Sequence, residues 1–218
     1  MSMKNTRNAF DCIGVDTDKF SAYFLLLGII IQVITYVVTD DGKLSLASGV
    51  AGVISVVLCS QRKLWFYFWS FIQIATFVII CYQQRLYGKL LENAVYIITM
   101  IYGLYEWYKH LDNDIVQTRN LDAKNLYYCV FQSICGIIVL HTVLNIVGGN
   151  ATWLDSVTTT LALVAQVLMI FRFKENWYFW LITDVACVVL WIQQDNYCMV
   201  MQYVFWIINC IYGIHKWR

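Results

Sequence analysis

This sequence predicts an all-α membrane protein. Eight transmembrane helices are expected in a 1+3+1+3 order, with two parallel three-helix repeats joined by a linker helix. Three observations lead there. The 218 residues are 60% hydrophobic and 13% charged, against the ~25% charged residues of a soluble domain. The apolar residues fall into eight runs, most of them near the ~20 residues that a helix needs to cross about 30 Å of hydrocarbon. The stretch Tyr102-Gly-Leu-Tyr-Glu-Trp107 returns 110 residues later as Tyr212-Gly-Ile-His-Lys-Trp217, and each copy closes a block of three runs.

Residues 1–19 are polar and of mixed sign, with Lys4, Arg7, Asp11, Asp16, Asp18 and Lys19. They lack the apolar core that directly follows a basic start in a cleavable signal, so they read as a cytoplasmic tail, either disordered or a short interfacial helix. Residues 20–38 form an extra N-terminal span. The first three-helix repeat covers 44–109, with runs Leu44–Ser60, Leu64–Tyr82 and Tyr87–Tyr108. A polar cytoplasmic linker follows at 110–125, then a linker span at 126–147. The second repeat covers 154–218, with runs Leu154–Phe171, Asn176–Ile192 and Tyr197–Ile214. Runs three and seven are rich in aromatic and polar residues, and the repeat supports both as spans. Open sheets leave backbone groups unsatisfied in lipid, so all eight runs are expected to be helices. With eight spans, only Lys43, Arg85 and Lys89 of the 15 Lys and Arg fall on one face. The other face holds the rest, which places both termini in the cytoplasm.

The repeat sets Ser48–Tyr108 against Thr158–Arg218. Gln83, Tyr87, Gly103 and Trp107 fall on Gln193, Tyr197, Gly213 and Trp217. Trp69 and Gln73 fall on Trp180 and Asp184 only if the second copy has one extra residue before span seven. Span one lies outside the repeat. Equivalent helices are four spans apart, so both copies cross in the same sense, and substrate is expected between them. The chain has no proline, so side chains on continuous helices, rather than unwound backbone, are expected to line a site.

Polar groups inside spans are costly and therefore informative. Trp177, Trp180 and Asp184 share one face of span seven, and Trp65, Trp69, Gln73 and Thr76 share one face of span three. Span eight aligns Gln202, Trp206, Asn209 and Gly213. Span four aligns Glu92, Tyr96, Thr99 and Gly103, with Asn93 beside them. The candidate substrate-binding residues are therefore Trp69, Gln73, Asn93, Tyr96, Thr99, Trp177, Trp180, Asp184, Gln202, Trp206 and Asn209. Aromatic faces stack on a heteroaromatic ring and favour a cationic one, and amides serve hydroxyls or a carboxamide. One acid balances one positive charge. That inventory suits a small cationic or zwitterionic aromatic such as a vitamin.

Other readings stay open beside it. Asp184 is equally a structural hydrogen-bonding group. Trp65, Trp107, Trp177 and Trp217 lie near span ends, where Trp belts anchor helices to the interface. Gln32, Gln132 and Gln166 read as interhelical hydrogen-bonding groups, and Asp155 as the N-cap of span six. Glu92 is close enough to its span end to reach the interface. His141 stands alone in span five, and His110 and His215 lie at membrane edges. The eight cysteines show no CxxC pairing and read as free, buried thiols without a metal, cofactor or disulfide. No HExxH, GxSxG or Cys/His cluster is present, so no enzyme is expected.

The Asn93-x-x-Tyr96 pair in span four and the Trp177-x-x-Trp180 pair in span seven resemble the paired motifs of the PnuC family of bacterial nicotinamide riboside transporters. The closing Tyr212-Gly-Ile-His-Lys-Trp-Arg218 is similar to that family's C-terminal end, and the resemblance covers about Ser48 to Arg218. It implies a 3+1+3 core similar to the SWEET sugar transporters, with span one as an extra helix. It further implies a homotrimer in the bacterial inner membrane that takes up nicotinamide riboside by facilitated diffusion. A cytoplasmic kinase draws the substrate inward by phosphorylating it. SWEET-type hinges use proline, so their gating is not carried over. Under this resemblance Trp69, Tyr96, Trp177 and Trp180 would clamp the pyridinium ring. Gln73, Asn93, Gln202 and Asn209 would bind carboxamide and ribose, and Asp184 would offset the charge. The central stripes contain no Arg or Lys for a phosphate, which favours the riboside over the mononucleotide. The rival expectations are an importer of thiamine or riboflavin, an ion-coupled symporter using Asp184, Glu92 and His141, and a structural or receptor role.

Overall fold

The computed structural model describes residues 19–39, 42–112 and 114–218, so the expected N-terminal tail lies outside the described residues. Among the described residues there are eight helices: α1 (Lys19–Thr39), α2 (Lys43–Ser60), α3 (Phe66–Gln83), α4 (Tyr87–Lys109), α5 (Ala123–Val147), α6 (Thr152–Ile170), α7 (Asn176–Gln193) and α8 (Tyr197–Lys216). Their bounds follow the apolar runs closely. Six of them are long and apolar enough to cross a membrane. The other two are α4, which carries Lys89, Glu92, Glu106 and Lys109, and α7, which carries Asp184 among its aromatic residues. These are also the two helices that contribute the charged wall of the central cavity.

Without proline, several helices stop at single residues in the left-handed region. Arg62 (φ 60°) ends α2 and Arg172 (φ 65°) ends α6, while Arg85 (φ 55°) ends α3 and Asp195 (φ 50°) ends α7. The members of each pair stand 110 residues apart, and their hydrogen bonds repeat as well. Lys63 N–H donates to Leu58 C=O as Phe173 N–H does to Leu168 C=O; Leu86 N–H donates to Cys81 C=O as Asn196 N–H does to Trp191 C=O. Helices α3 and α7 have the same length of 18 residues. The spacing of 110 therefore runs unbroken, and the extra residue expected before span seven is absent. Trp69 and Gln73 correspond to Phe179 and Thr183; Trp180 and Asp184 correspond to Ser70 and Ile74.

Packing follows the same spacing. Helix α2 packs on α3 and α6 on α7, α4 lies against α6 and α8 against α2, and α1 packs on α2 and α8. Helix α5 packs on α6 and touches α4. Advancing every helix by four maps this set onto itself. Helix α1, expected outside the repeat, thus stands to α2 and α8 as α5 stands to α6 and α4. Gln32 joins α1 to α8, its amide donating to Cys198 C=O (3.3 Å) and accepting from Gln202 N–H (3.0 Å), which is the interhelical role its position suggests.

The expected linker is more ordered than a polar connection. It opens with an antiparallel hairpin, β1 (Leu111–Asp112) paired with β2 (Ile115–Val116). The chain then runs across the bundle end as a strap tied to both halves. Val116 N–H donates to Arg62 C=O at 3.3 Å, and Arg119 N–H to Arg172 C=O at 2.9 Å. Among the described residues the cysteines are free; Cys59, Cys81, Cys187, Cys198 and Cys210 are buried, Cys129 is half-buried, and Cys135 is exposed rather than buried. Cys12 lies outside the described residues.

Asp155 does not cap its own helix. Ala151 holds that position, and Asp155 is instead fully buried against α4. The N-cap of α4, Leu86, has no side-chain acceptor for the free N–H groups of the first turn. Asp155 supplies it, accepting from Gly88 N–H (2.8 Å) and Lys89 N–H (3.1 Å), with Thr159 Oγ1 donating at 3.3 Å. Only glycine leaves room for that approach, since a Cβ on Gly88 would stand 2.6 Å from the carboxylate. In the other half, α8 has its own cap: Asn196 accepts from Met199 N–H (3.1 Å) and donates to Ser45, the counterpart of Asp155 (3.1 Å). Removing the acceptor orphans two buried N–H groups. Asp155→Ala should therefore destabilise the protein by about 1–3 kcal/mol, read as a lower thermal midpoint in detergent; an unchanged midpoint would show the cross-cap to be inert.

Candidate substrate-binding site

A cavity of about 100 Å³ lies between the two halves, lined by residues of α2, α3, α4, α6, α7 and α8. Seven of the eleven expected residues line it: Gln73 from α3, Asn93 and Tyr96 from α4, Trp177, Trp180 and Asp184 from α7, and Trp206 from α8. The Tyr96 and Trp180 rings meet edge to face at 6.3 Å, and Tyr203 and Trp206 at 4.8 Å. Aromatic faces and edges thus surround a space where a flat ring could lie.

The remaining four residues lie outside this lining. Trp69 packs into the apolar core beside Phe68. Thr99 donates to the Val95 carbonyl of its own helix at 2.8 Å and receives the Gln166 amide at 3.5 Å. Gln202 is buried against Gly52 of α2, and Asn209 donates to Val56 C=O of α2 at 3.1 Å. A helical stripe spans both the wall of the cavity and the flank that meets the next helix, so spacing alone does not separate the two.

Two charged residues of the wall were not among the expected site residues. Lys89 and Glu92 are both buried, with Lys89 Nζ 2.6 Å from Glu92 Oε2. This corrects the expectation that no cation stands in the central region, and it moves Glu92 from the interface to the cavity. Their i, i+3 spacing near the start of a span was the signal available. Tyr203, Thr183 and Gln166 also join the lining. Asp184 accepts a hydrogen bond from Cys210 Sγ (3.2 Å) through Oδ2, and its Oδ1 is buried with no partner among the described residues. The structural bond expected for Asp184 is thus present on one oxygen while the other is free. The charged groups of the lining are one cation and two carboxylates.

Beneath the cavity, on the end where the Arg62 and Arg172 turns lie, the repeated Tyr-Gly-x-x-x-Trp motif forms a floor. Gly103 seats Tyr67, and Gly213 seats the equivalent Trp177; a Cβ on either glycine would come within 2.6 Å of the ring or its hydroxyl. The two closing residues, Trp107 and Trp217, pack on each other at 5.9 Å, and Trp217 meets Trp177 at 5.5 Å. All three indoles are buried, so the expected belt role fits only Trp65, which is 55% exposed. The strap lies over this floor. Arg172 binds Gln117 C=O (3.2 Å) and Glu106 Oε1 (3.1 Å), Glu175 accepts from Leu121 N–H (2.9 Å), and Thr118 Oγ1 donates to Trp217 C=O (3.3 Å).

A cavity lined by aromatic rings and a few polar and charged side chains, set between two equivalent halves of a multi-pass helical bundle, is the arrangement of a membrane transporter. The chain belongs to the nicotinamide mononucleotide transporter family, whose sequence profile matches residues 43–218. It is similar to the nicotinamide riboside transporter PnuC of Neisseria mucosa, at 28% identity over 211 residues, 91% of this chain and 80% of that protein. The PnuC protein of Haemophilus influenzae is 28% identical over 203 residues, 91% of this chain and 89% of its own length. A crystal structure of the vitamin B3 transporter PnuC matches with a TM-score of 0.82 at 27% identity, covering 94% of this chain and 92% of that one. The resemblance read from the Asn93–Tyr96 and Trp177–Trp180 pairs is therefore borne out at the level of family. Arg172 is the residue on which strap and floor converge, so Arg172→Ala should speed amide hydrogen exchange at Val116 and Arg119 well above exchange in α2; equal protection in both proteins would show that the strap is held by other contacts.

Proposed function

We propose that this chain carries nicotinamide riboside into the cell across the bacterial inner membrane by facilitated diffusion, with its basic end and both termini in the cytoplasm. The observation that carries this reading is the unpartnered Asp184 Oδ1 among the rings of the cavity. A buried carboxylate oxygen facing aromatic walls suits a flat cation, and a pyridinium ring is one. Asn93 and Gln73 offer donors and acceptors for the carboxamide and ribose hydroxyls. The names of the similar proteins support the same substrate.

Two details favour this reading over its neighbours. Lys89 is bonded to Glu92 and the lining carries more carboxylates than cations, so a phosphate on the substrate would meet a net negative wall; this favours the riboside over its mononucleotide. His141 packs on Trp153 at 5.3 Å on the outer helix α5 and is outside the cavity lining, so it does not link Asp184 and Glu92 into a proton relay. We further propose that net uptake is drawn by phosphorylation of the substrate in the cytoplasm, and that three copies assemble in the membrane.

Liposomes containing only the purified protein, with no ion gradient, test this reading. Labelled nicotinamide riboside should enter saturably and stop at the outside concentration. Entry of thiamine or riboflavin instead would overturn the substrate, and accumulation only under a proton or sodium gradient would overturn facilitated diffusion. Asp184→Asn should raise the KM for the riboside by roughly ten-fold or more, the equivalent of about 1.4 kcal/mol; an unchanged KM would remove Asp184 from charge recognition.

A further inference from the structure

The cavity wall holds a cation that the proposed reading counts only towards net charge and gives no residue-level role. Lys89 lies at the start of α4, buried and facing the cavity, and its Nζ is 2.6 Å from Glu92 Oε2. An unmasked ammonium in a low-dielectric space would be a strong ligand for phosphate. Asp155 is the other acid near this turn, but its oxygens are already held by the N–H groups of Gly88 and Lys89 and the hydroxyl of Thr159. Glu92 is therefore the acid bonded to the ammonium.

The repeat does not require this pair. The positions 110 residues on are Met199 and Gln202, so the same scaffold is built in the second half without it. The pair also joins no two elements, because both residues sit on α4 at i, i+3. A buried ion pair that ties nothing together is a poor source of stability, since desolvating two charges offsets most of their attraction. Its placement on the cavity wall points to recognition.

We propose that Glu92 is a specificity-determining residue: by holding the Lys89 ammonium it withdraws that cation from anionic ligands, so the cavity takes the nucleoside and rejects its phosphorylated form. The inference rests on the reading of the cavity as a nicotinamide riboside site. Lys89 is the cation of the lining among the described residues, so freeing it changes both the net charge of the wall and the donors offered to a phosphate. The loss of Asp184 would change the net charge by the same amount while leaving Lys89 masked, which separates masking from simple charge counting.

The test is competition by nicotinamide mononucleotide against uptake of labelled riboside in liposomes. Glu92→Gln should lower the mononucleotide concentration that halves uptake by roughly ten-fold or more, the effect of one charge-assisted hydrogen bond. With each variant's riboside KM divided out to give an inhibition constant, adding Lys89→Met to it should restore the parent value, and Asp184→Asn should not reproduce the gain. Glu92→Asp keeps the buried charge but shortens its reach, so it should shift competition in the same direction by less and serves where the amide variant does not fold. Equal rejection of the mononucleotide by the parent, Glu92→Gln and Glu92→Asp overturns the proposal, as does a gain that survives Lys89→Met. Failure of the parent to carry riboside would overturn the proposed function instead. Masking is then read by calorimetry with inorganic phosphate, for which Glu92→Gln should gain saturable binding that the double variant lacks; no such gain overturns the masking.

Discussion

The absence of water in the hydrocarbon core governs this structure. Any polar group placed there must find its partner inside the protein. Helix α4 meets that demand at its N-terminus, where the first-turn N–H groups open into the bundle and Leu86 offers them nothing. The carboxylate of Asp155 comes from α6 to close the turn, and Gly88 leaves the space for it. Once the turn is fixed, Lys89, Glu92, Asn93 and Tyr96 follow at helical spacing along one wall of the cavity. A cap therefore joins the two halves and also sets the position of the polar wall.

The repeat supplies a frame, and the two copies fill it differently. Turns, helix lengths and packing partners recur 110 residues apart. The cavity side chains do not. Lys89 corresponds to Met199 across the repeat, Asn93 to Tyr203, and Asp184 to Ile74. Charge is thus gathered on α4 and α7, while their counterparts α8 and α3 bring rings, apolar groups and uncharged polar groups such as Ser70 and Gln73. A symmetric frame holds an asymmetric ligand well only when its lining departs from symmetry, and the proposed ligand, a ring with one charged nitrogen, one carboxamide and a sugar, is asymmetric in this way.

Much of the frame was legible because lipid imposes a simple rule on sequence. Eight apolar runs became eight helices with nearly the expected ends, and the Tyr-Gly-x-x-x-Trp copies marked the repeat. The slip assumed for Trp180 and Asp184 arose from matching residue types across copies whose linings differ; the turns at Arg62 and Arg172 show no inserted residue. The role of α1 was hidden because its likeness to α5 is one of packing, with no shared motif. Among site residues, Trp177, Trp180, Asp184, Asn93 and Tyr96 were accessible from their shared faces. Gln202 and Asn209 lie on equally good stripes but turn to α2, a choice made by neighbouring helices that spacing does not encode. Lys89 was missed because a lysine near a span end ordinarily reaches for water, and only the fold shows Glu92 holding its ammonium inside.

The two ends of the cavity are held by different physics. At the strap end, Trp107, Trp177 and Trp217 pack ring on ring under a backbone strap anchored through Arg172 and Glu106. Such a closure has apolar faces towards the cavity and many weak contacts that can be exchanged for contacts with a passing ring. At the opposite end stand the Lys89–Glu92 pair and the Asp155 cap, where each bond is strong, directional and difficult to replace in a dry space; breaking one partner from a buried ion pair costs about 3–5 kcal/mol. The ring floor is therefore the end better suited to rearrange around a substrate, and the charged end the one better suited to stay fixed and discriminate. That division agrees with the sequence itself, which repeats the floor motif in both halves but carries the Lys89–Glu92 pair in only one.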